Sequence, residues 1–291
     1  MSFTNKREIS CFGLRRSGNH GILNWITSQD NDPYVHLNAV RLNIDKDPYK
    51  GYGEVFISGI NPFIYHKQNF KFRPRPFLGS LRYLMNPEVK FSYGCDRDEV
   101  DREALRKYKV KPLVIHSYEH YSFSEVMGSW FEEKREDFLG KSQDRFDLLI
   151  LRDPYNTFAS LIKRGEVIEE AEPIINKWIE YAKEYLGLSN YLKNRISVNY
   201  NEWFQNKTYR EEMARSLGLV FSDAGIDTIP RIGRKGKRKG SSFDGLNYQG
   251  QATKMGVLSR YEEFLDHPAM LKVLANKELN ELSTEIFGSI L

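Results

Sequence analysis

The sequence predicts an α/β fold, a parallel β-sheet flanked by helices. Three observations predict it. Short apolar runs alternate along the chain with longer amphipathic ones, the order that strands and helices take in a parallel sheet. The first of these runs passes straight into a glycine-bearing turn, in CFGLRRSGNHGILNWI over Cys11–Ile26. A later one, in LLILRDPYNTFASLIKR over Leu148–Arg164, ends on an arginine followed by Asp-Pro, a pair suited to starting a helix.

The strands are expected at Ile9–Leu14, Val55–Ile57, Leu113–Ile115, Leu148–Leu151 and Ile196–Val198. Each is short, apolar and bounded by polar residues, as strands covered on both faces are. Helices are expected from Ile22 through Leu23, Trp25 and Ile26, and over Asp98–Lys107, Phe123–Phe138, Tyr209–Leu217 (closed by Gly218) and Met270–Phe287. A further helix puts Ile174, Trp178, Tyr181 and Tyr185 on one stripe and ends near Gly187. That stripe reads as core.

Two stretches stand outside the alternation. Residues 61–112 set Pro62, Pro74, Pro76 and Pro87 among aromatic residues that include Phe63, Tyr65, Phe70, Phe72 and Phe77, and read as an insertion that shapes a pocket. Residues 227–256 are rich in Gly, Lys, Arg and Ser and read as a ligand-covering loop. No linker divides the chain, so residues 1–291 are read as a single domain.

Composition sets outer bounds. A hydrophobic content of 40% with 13% aromatic residues is ample for a core. The 43 basic against 39 acidic residues suit an anionic ligand without demanding nucleic acid. The cysteines are Cys11 and Cys95, and Cys11 lies in an apolar strand, which excludes a disulfide framework and fits a reducing compartment. No apolar run reaches the roughly 18 residues that a membrane span needs. MSFTNKREIS carries no apolar leader core. The expectation is a cytoplasmic protein with no membrane partner.

The glycine turn carries the chemistry. Gly13 and Gly18 have the G-x-x-x-x-G spacing of a phosphate-binding loop, but Lys and Ser/Thr do not follow; Asn19 and His20 do. The basic charge sits inside the loop, at Arg15 and Arg16. Such a turn aims backbone N–H groups and the positive end of a helix at one spot, where phosphate or sulfate fits. Without the Lys and the Ser/Thr, Mg²⁺-dependent nucleotide hydrolysis loses two of its parts. The Arg16 fork can stabilise a tetrahedral oxyanion instead. Arg152 stands at the carboxyl end of a buried strand, where open parallel sheets bind ligands. Thr157, Ser160 and Arg164 share the face of the helix that follows.

Together these stretches resemble the sulfotransferases that use 3′-phosphoadenosine 5′-phosphosulfate (PAPS). In that family a strand–loop–helix with [KR]-S-G-[TNS] binds the 5′-phosphosulfate, and Arg16-Ser17-Gly18-Asn19 matches it. A later strand ends in Arg, with Ser eight residues on, and binds the 3′-phosphate; Arg152 and Ser160 match it. The resemblance extends to Tyr200, at a strand end near the adenine, and to Arg234-Lys235-Gly236, in a loop that closes over the cofactor. It departs where the cytosolic animal enzymes usually carry Lys at the position of Arg16 and an aromatic residue at that of Gly21.

The resemblance implies a P-loop NTPase-like sulfotransferase fold, PAPS as cofactor, adenosine 3′,5′-bisphosphate as product and no metal. The cofactor site would be Arg15, Arg16, Ser17, Gly18, Asn19, His20, Arg152, Ser160, Tyr200, Arg234, Lys235 and Gly236. Arg16 would act on the charge that grows on the leaving phosphate. A hydroxyl acceptor, on a small molecule or a carbohydrate, also benefits from a base. The strand at Leu113–Ile115 runs into HSYEH, which offers His116, Glu119 and His120. Alignment with the family makes Glu119 the first choice and His116 the next. The basic cluster Arg231, Arg234, Lys235, Lys237, Arg238 and Lys239 reads as cofactor closure before a solvated loop or a nucleic-acid contact. Two alternatives stay open: a P-loop nucleotide or small-molecule kinase, and a non-catalytic anion or nucleic-acid binding protein on the same fold.

Overall fold

In a computed structural model of the chain, residues 5–29, 34–40, 42, 52–58, 91–93, 111–167, 170–230 and 240–291 are described. The strands are β1 (Asn5–Gly13), β2 (Tyr34–Val40), β3 (Tyr52–Ser58), β4 (Phe91–Tyr93), β5 (Lys111–Glu119), β6 (Ser142–Leu151) and β7 (Arg195–Asn199). They join in the order β4-β3-β2-β5-β1-β6-β7. The helices are α1 (Asn19–Gln29), α2 (Phe123–Met127), α3 (Trp130–Leu139), α4 (Pro154–Lys163), α5 (Glu172–Leu186), α6 (Tyr200–Gln205), α7 (Lys207–Ser216), α8 (Pro268–Ala275) and α9 (Lys277–Phe287). The architecture is the α/β sheet flanked by helices that the alternation predicts. β2 runs parallel to β5, and β3 and β4 extend that edge as antiparallel neighbours. Among the described residues, no helix is long and apolar enough to cross a membrane.

Contacts divide the chain into two compact units, Met1–Cys11 with Asn31–Asp147 and Phe12–Asp30 with Leu148–Leu291. The first holds most of β1, the β2–β5 sheet, α2, α3 and the amino-terminal part of β6. Parallel pairing of β2 with β5 sets His36 opposite Ile115 and Leu37 opposite His116. β2 eludes the apolar-run criterion because His36 and Asn38 interrupt it. Both are nonetheless buried, and Asn38 accepts a hydrogen bond from Ser117 Oγ at 3.2 Å. β6 starts earlier than its apolar end, and Arg145 and Asp147, which precede that end, are ion-paired at 3.8 Å. The helix expected over Phe123–Phe138 is two helices. Gly128 closes α2, and Ser129 starts α3 by accepting from the Glu132 amide.

The second unit holds the glycine turn, α1, the ends of β1 and β6, β7 and all the helices from α4 on. Its core includes Trp25, Trp178, Tyr181 and Phe158, each fully buried. On α5 the buried stripe is Ile175, Trp178, Ile179, Tyr181 and Ala182, so the predicted Ile174 and Tyr185 lie at its half-buried margins. Gly187, at φ 79°, ends α5 in the left-handed conformation, with the Leu188 amide bonded back to the Lys183 carbonyl at 2.9 Å. The predicted Met270–Phe287 helix also breaks in two, where Asn276 caps α9 through the Leu279 amide (2.9 Å). The proposed Asp98–Lys107 helix and most of the 61–112 insertion lie outside the described residues.

Candidate active site

The second unit holds the glycine turn, Arg152 and Ser160. Gly13 ends β1, and a Cβ there would sit 2.2 Å from Asn19 Oδ1. Asn19 in turn donates from Nδ2 to the Leu14 carbonyl at 3.1 Å, which locks the loop to the first turn of α1. Arg16 takes φ 71° and Gly18 φ 86°, so the turn closes through two left-handed residues. A Cβ on Gly18 would strike the Tyr200 ring at 2.0 Å, which fixes glycine at that position. The Ser17 side chain is fully buried, and its Oγ has no hydrogen-bond partner among the described residues. In the first turn of α1 the Gly21 and Ile22 amides donate to the Gly18 carbonyl, at 2.9 and 3.2 Å.

Arg152 follows β6 directly. Asp153 caps α4 by accepting from the Asn156 amide at 2.8 Å, and Pro154 opens the helix, as the sequence predicts. Burial raises the Asp153 carboxyl pKa; the neighbouring Arg152 charge and the Asn156 bonds oppose that rise. Arg152 itself is 2% exposed. Its Nη1 donates to the Arg16 carbonyl at 3.1 Å, its Nη2 donates to the Val257 carbonyl, and its Nε has no partner among the described residues. Its guanidinium lies 5.0 Å from the centre of the Tyr200 ring. Trp178 Nε1 donates to the Arg152 carbonyl at 2.9 Å, so the core tryptophan of α5 also fixes this strand end. Among the described residues no carboxylate lies within ion-pair distance of the Arg152 guanidinium. A buried guanidinium without a paired anion costs several kcal/mol, about the amount an anionic ligand recovers.

On α4, Thr157 is fully buried with an unpartnered Oγ1, and Ser160, 3% exposed, shares a hydrogen bond of 3.1 Å with Ser242. Arg164, expected on the same face, is the exposed C-cap of α4. The stretch after Gly240 is stapled to this helix. Asn156 Nδ2 donates to the Leu258 carbonyl at 2.9 Å, and the Tyr261 amide donates to Asn156 Oδ1 at 3.3 Å. No sequence motif marks Val257, Leu258 or Arg260, because their role comes from a long-range return of the chain.

Four predicted residues behave differently from the simplest expectation. The Arg16 guanidinium is ion-paired with Glu166, at 27% and 29% side-chain exposure, so an anion must compete with a resident carboxylate. Tyr200 is 7% exposed and is sandwiched by Gly18, Arg152, Trp203 and Phe204, and so buttresses the loop. Arg15 is exposed and His20 half-buried. Arg234, Lys235 and Gly236, with the rest of the 231–239 basic cluster, lie outside the described residues.

The base candidates belong to the first unit. His116 is fully buried, with Nε2 at 2.9 Å from Glu8 Oε1 and 3.3 Å from Ser10 Oγ. Arg135 Nε lies 2.9 Å from the same Glu8 oxygen, and Arg145 bonds Glu132 at 2.8 Å. Burial alone would raise the Glu8 carboxyl pKa. The hydrogen bond and charge of His116, the charge of Arg135 and the Ser142 bond overcome that and hold it at about 2. His116 is thus a member of a buried ionic cluster. Glu119, the last residue of β5, is half-buried, and His120 follows it at φ 64°.

No protein-family model and no curated protein sequence matches the chain. Solved structures do. The sulfotransferase domain from the Synechococcus PCC 7002 olefin synthase is similar over 98% of this chain and 95% of its own, at 10% identity and a TM-score of 0.50. The sulfotransferase domain from the curacin biosynthetic pathway matches over 96% and 97%, at 14% identity and a TM-score of 0.41. The chain has a sulfotransferase-like fold.

Proposed function

We propose that this protein is a sulfotransferase that moves a sulfuryl group from PAPS to a hydroxyl on a small-molecule or carbohydrate acceptor. The observation that carries the reading is Arg152, a buried arginine at a strand end with an unpartnered Nε and no carboxylate partner among the described residues. Ser17 Oγ and Thr157 Oγ1, which have no partner among the described residues, support the fit of an anionic cofactor in the same unit. The sulfotransferase-like fold supports it independently.

In this reading the glycine loop, Ser17 and Asn19 hold the 5′-phosphosulfate, with Arg16 after its release from Glu166. Arg152 and Ser160 hold the 3′-phosphate. Bound PAPS supplies an activated sulfuryl group: its S–O bond to the 5′-phosphate breaks as one to the acceptor oxygen forms, leaving adenosine 3′,5′-bisphosphate. The loop donors and Arg16 stabilise the charge that grows on the phosphate. Glu119 stays the first choice for the base, as the family resemblance implies, while His116 is fully buried and bonded to Glu8. No metal is needed for these steps.

The test is release of adenosine 3′,5′-bisphosphate from PAPS with a panel of hydroxyl acceptors. Turnover without added metal is expected, with Arg152→Ala lowering kcat/KM for PAPS by about 10²-fold, the loss typical of one buried charge contact. Absence of turnover with every acceptor, or phosphate transfer from ATP instead, contradicts the reading.

A further inference from the structure

The turn after Gly240 and the 3₁₀ segment Arg260–Phe264 hold a second, largely covered guanidinium that no motif of the sequence marks. Ser241 and Gly245 exchange backbone hydrogen bonds of 2.9 and 3.0 Å, closing the turn SSFDG. Inside it Ser241 Oγ accepts from the amides of Phe243 and Asp244. Asp244 then ion-pairs Arg260, whose side chain is 10% exposed. All the polar contacts of Arg260 fall on one nitrogen. Nη2 meets Asp244, Ser241 Oγ at 3.1 Å and the Met255 sulfur at 4.0 Å. Among the described residues, Nε and Nη1 have no partner. The guanidinium carbon lies 4.5 Å from the centre of the Phe243 ring, so the fork is fixed from one side and from one face.

The same turn reaches the site. Ser242 bonds Ser160, and Val257, three residues before Arg260, accepts from Arg152. Burial, and next the like charge of Arg152, lower the Arg260 pKa, against the pull of Asp244. Two guanidiniums, with one carboxylate, Asp244, ion-paired to Arg260, leave a positive excess that a dianion neutralises.

We propose that Arg260 is a second arginine of the 3′-phosphate subsite, with Asp244 as the residue that positions it; this rests on the reading of the protein as a user of PAPS. Arg152 would approach the phosphate with Nε, and Arg260 with Nε and Nη1, the free edge of its fork. Ser160 and Ser242 would complete the cradle.

The experiment is titration of the protein with adenosine 3′,5′-bisphosphate and with adenosine 5′-monophosphate, for wild type, Arg260→Ala, Arg260→Lys and Asp244→Asn. Thermal melts confirm that each variant is folded. The expected result is a loss of about 10²-fold for the bisphosphate in Arg260→Ala, within the range of truncated charged contacts. The monophosphate should weaken little, and Arg260→Lys should recover the bisphosphate only in part, because it keeps the charge and loses the fork. Asp244→Asn should lower the bisphosphate preference while leaving monophosphate affinity intact. A wild-type preference for the bisphosphate that survives in Arg260→Ala overturns the role of Arg260 alone. Equal loss of both ligands does so too. A wild type that does not prefer the bisphosphate overturns the PAPS reading, and this inference with it.

Discussion

Arg16 carries its charge on a left-handed backbone, φ 71°, a conformation that costs a residue with a side chain about 1–2 kcal/mol. The strain directs its carbonyl to Arg152 Nη1, so the two site arginines are joined through the main chain before any ligand arrives. Its guanidinium meanwhile rests on Glu166. A half-exposed pair of this kind is worth up to about 1 kcal/mol, so the carboxylate acts as a mild competitor of the anion. Glu166→Gln is therefore expected to tighten adenosine 3′,5′-bisphosphate binding by about 2–5-fold, read by calorimetry at constant ionic strength. Unchanged or weaker binding would mean that Glu166 holds Arg16 in its working position instead.

At the scale of elements, the first unit is held by charges buried among β1, β5, α3 and β6. The Glu8 carboxyl sits at about 2 in the folded protein against an ordinary 4.5, so the native state binds fewer protons than the unfolded chain between those values. Its contribution is fully present above pH 4.5 and is lost as pH falls toward 2. Acid unfolding followed by circular dichroism should show this limb, and Glu8→Gln should flatten it. The variant should also lower stability at neutral pH by about 3–5 kcal/mol, since His116 and Arg135 lose their shared partner. An unaltered acid limb would contradict the account of the cluster.

Legibility in the sequence followed the range of the forces involved. The glycine turn, the Asp153 cap and the end of α5 at Gly187 were readable because local chemistry fixes each. β2 was not, since His36 and Asn38 are buried polar residues whose burial depends on the neighbouring strand. The splits at Ser129 and Asn276 were signalled only by caps lying within continuous amphipathic patterns. Arg152 and Ser160 were marked by their spacing, whereas Arg260 and Asp244 come near α4 only because the chain returns to that helix. The burial of His116 against Glu8 followed from strand pairing, which HSYEH alone does not reveal.

For the whole molecule, a sulfotransferase-like fold at 10% identity fixes the scaffold and leaves the chemistry to be argued from side chains. In the second unit, Ser17, Thr157 and Arg152 each carry a buried donor without a partner among the described residues, which is what the proposal of an anionic ligand rests on. The central claim is that this site takes a nucleotide bearing both a 5′- and a 3′-phosphate, without metal. The most direct test is calorimetric titration with adenosine 3′,5′-bisphosphate in the presence and absence of Mg²⁺, with ATP as the comparison. The account predicts tight binding that Mg²⁺ leaves unchanged and Arg152→Ala weakens by about 10²-fold. Preference for Mg·ATP, or binding as tight in Arg152→Ala as in wild type, would contradict it.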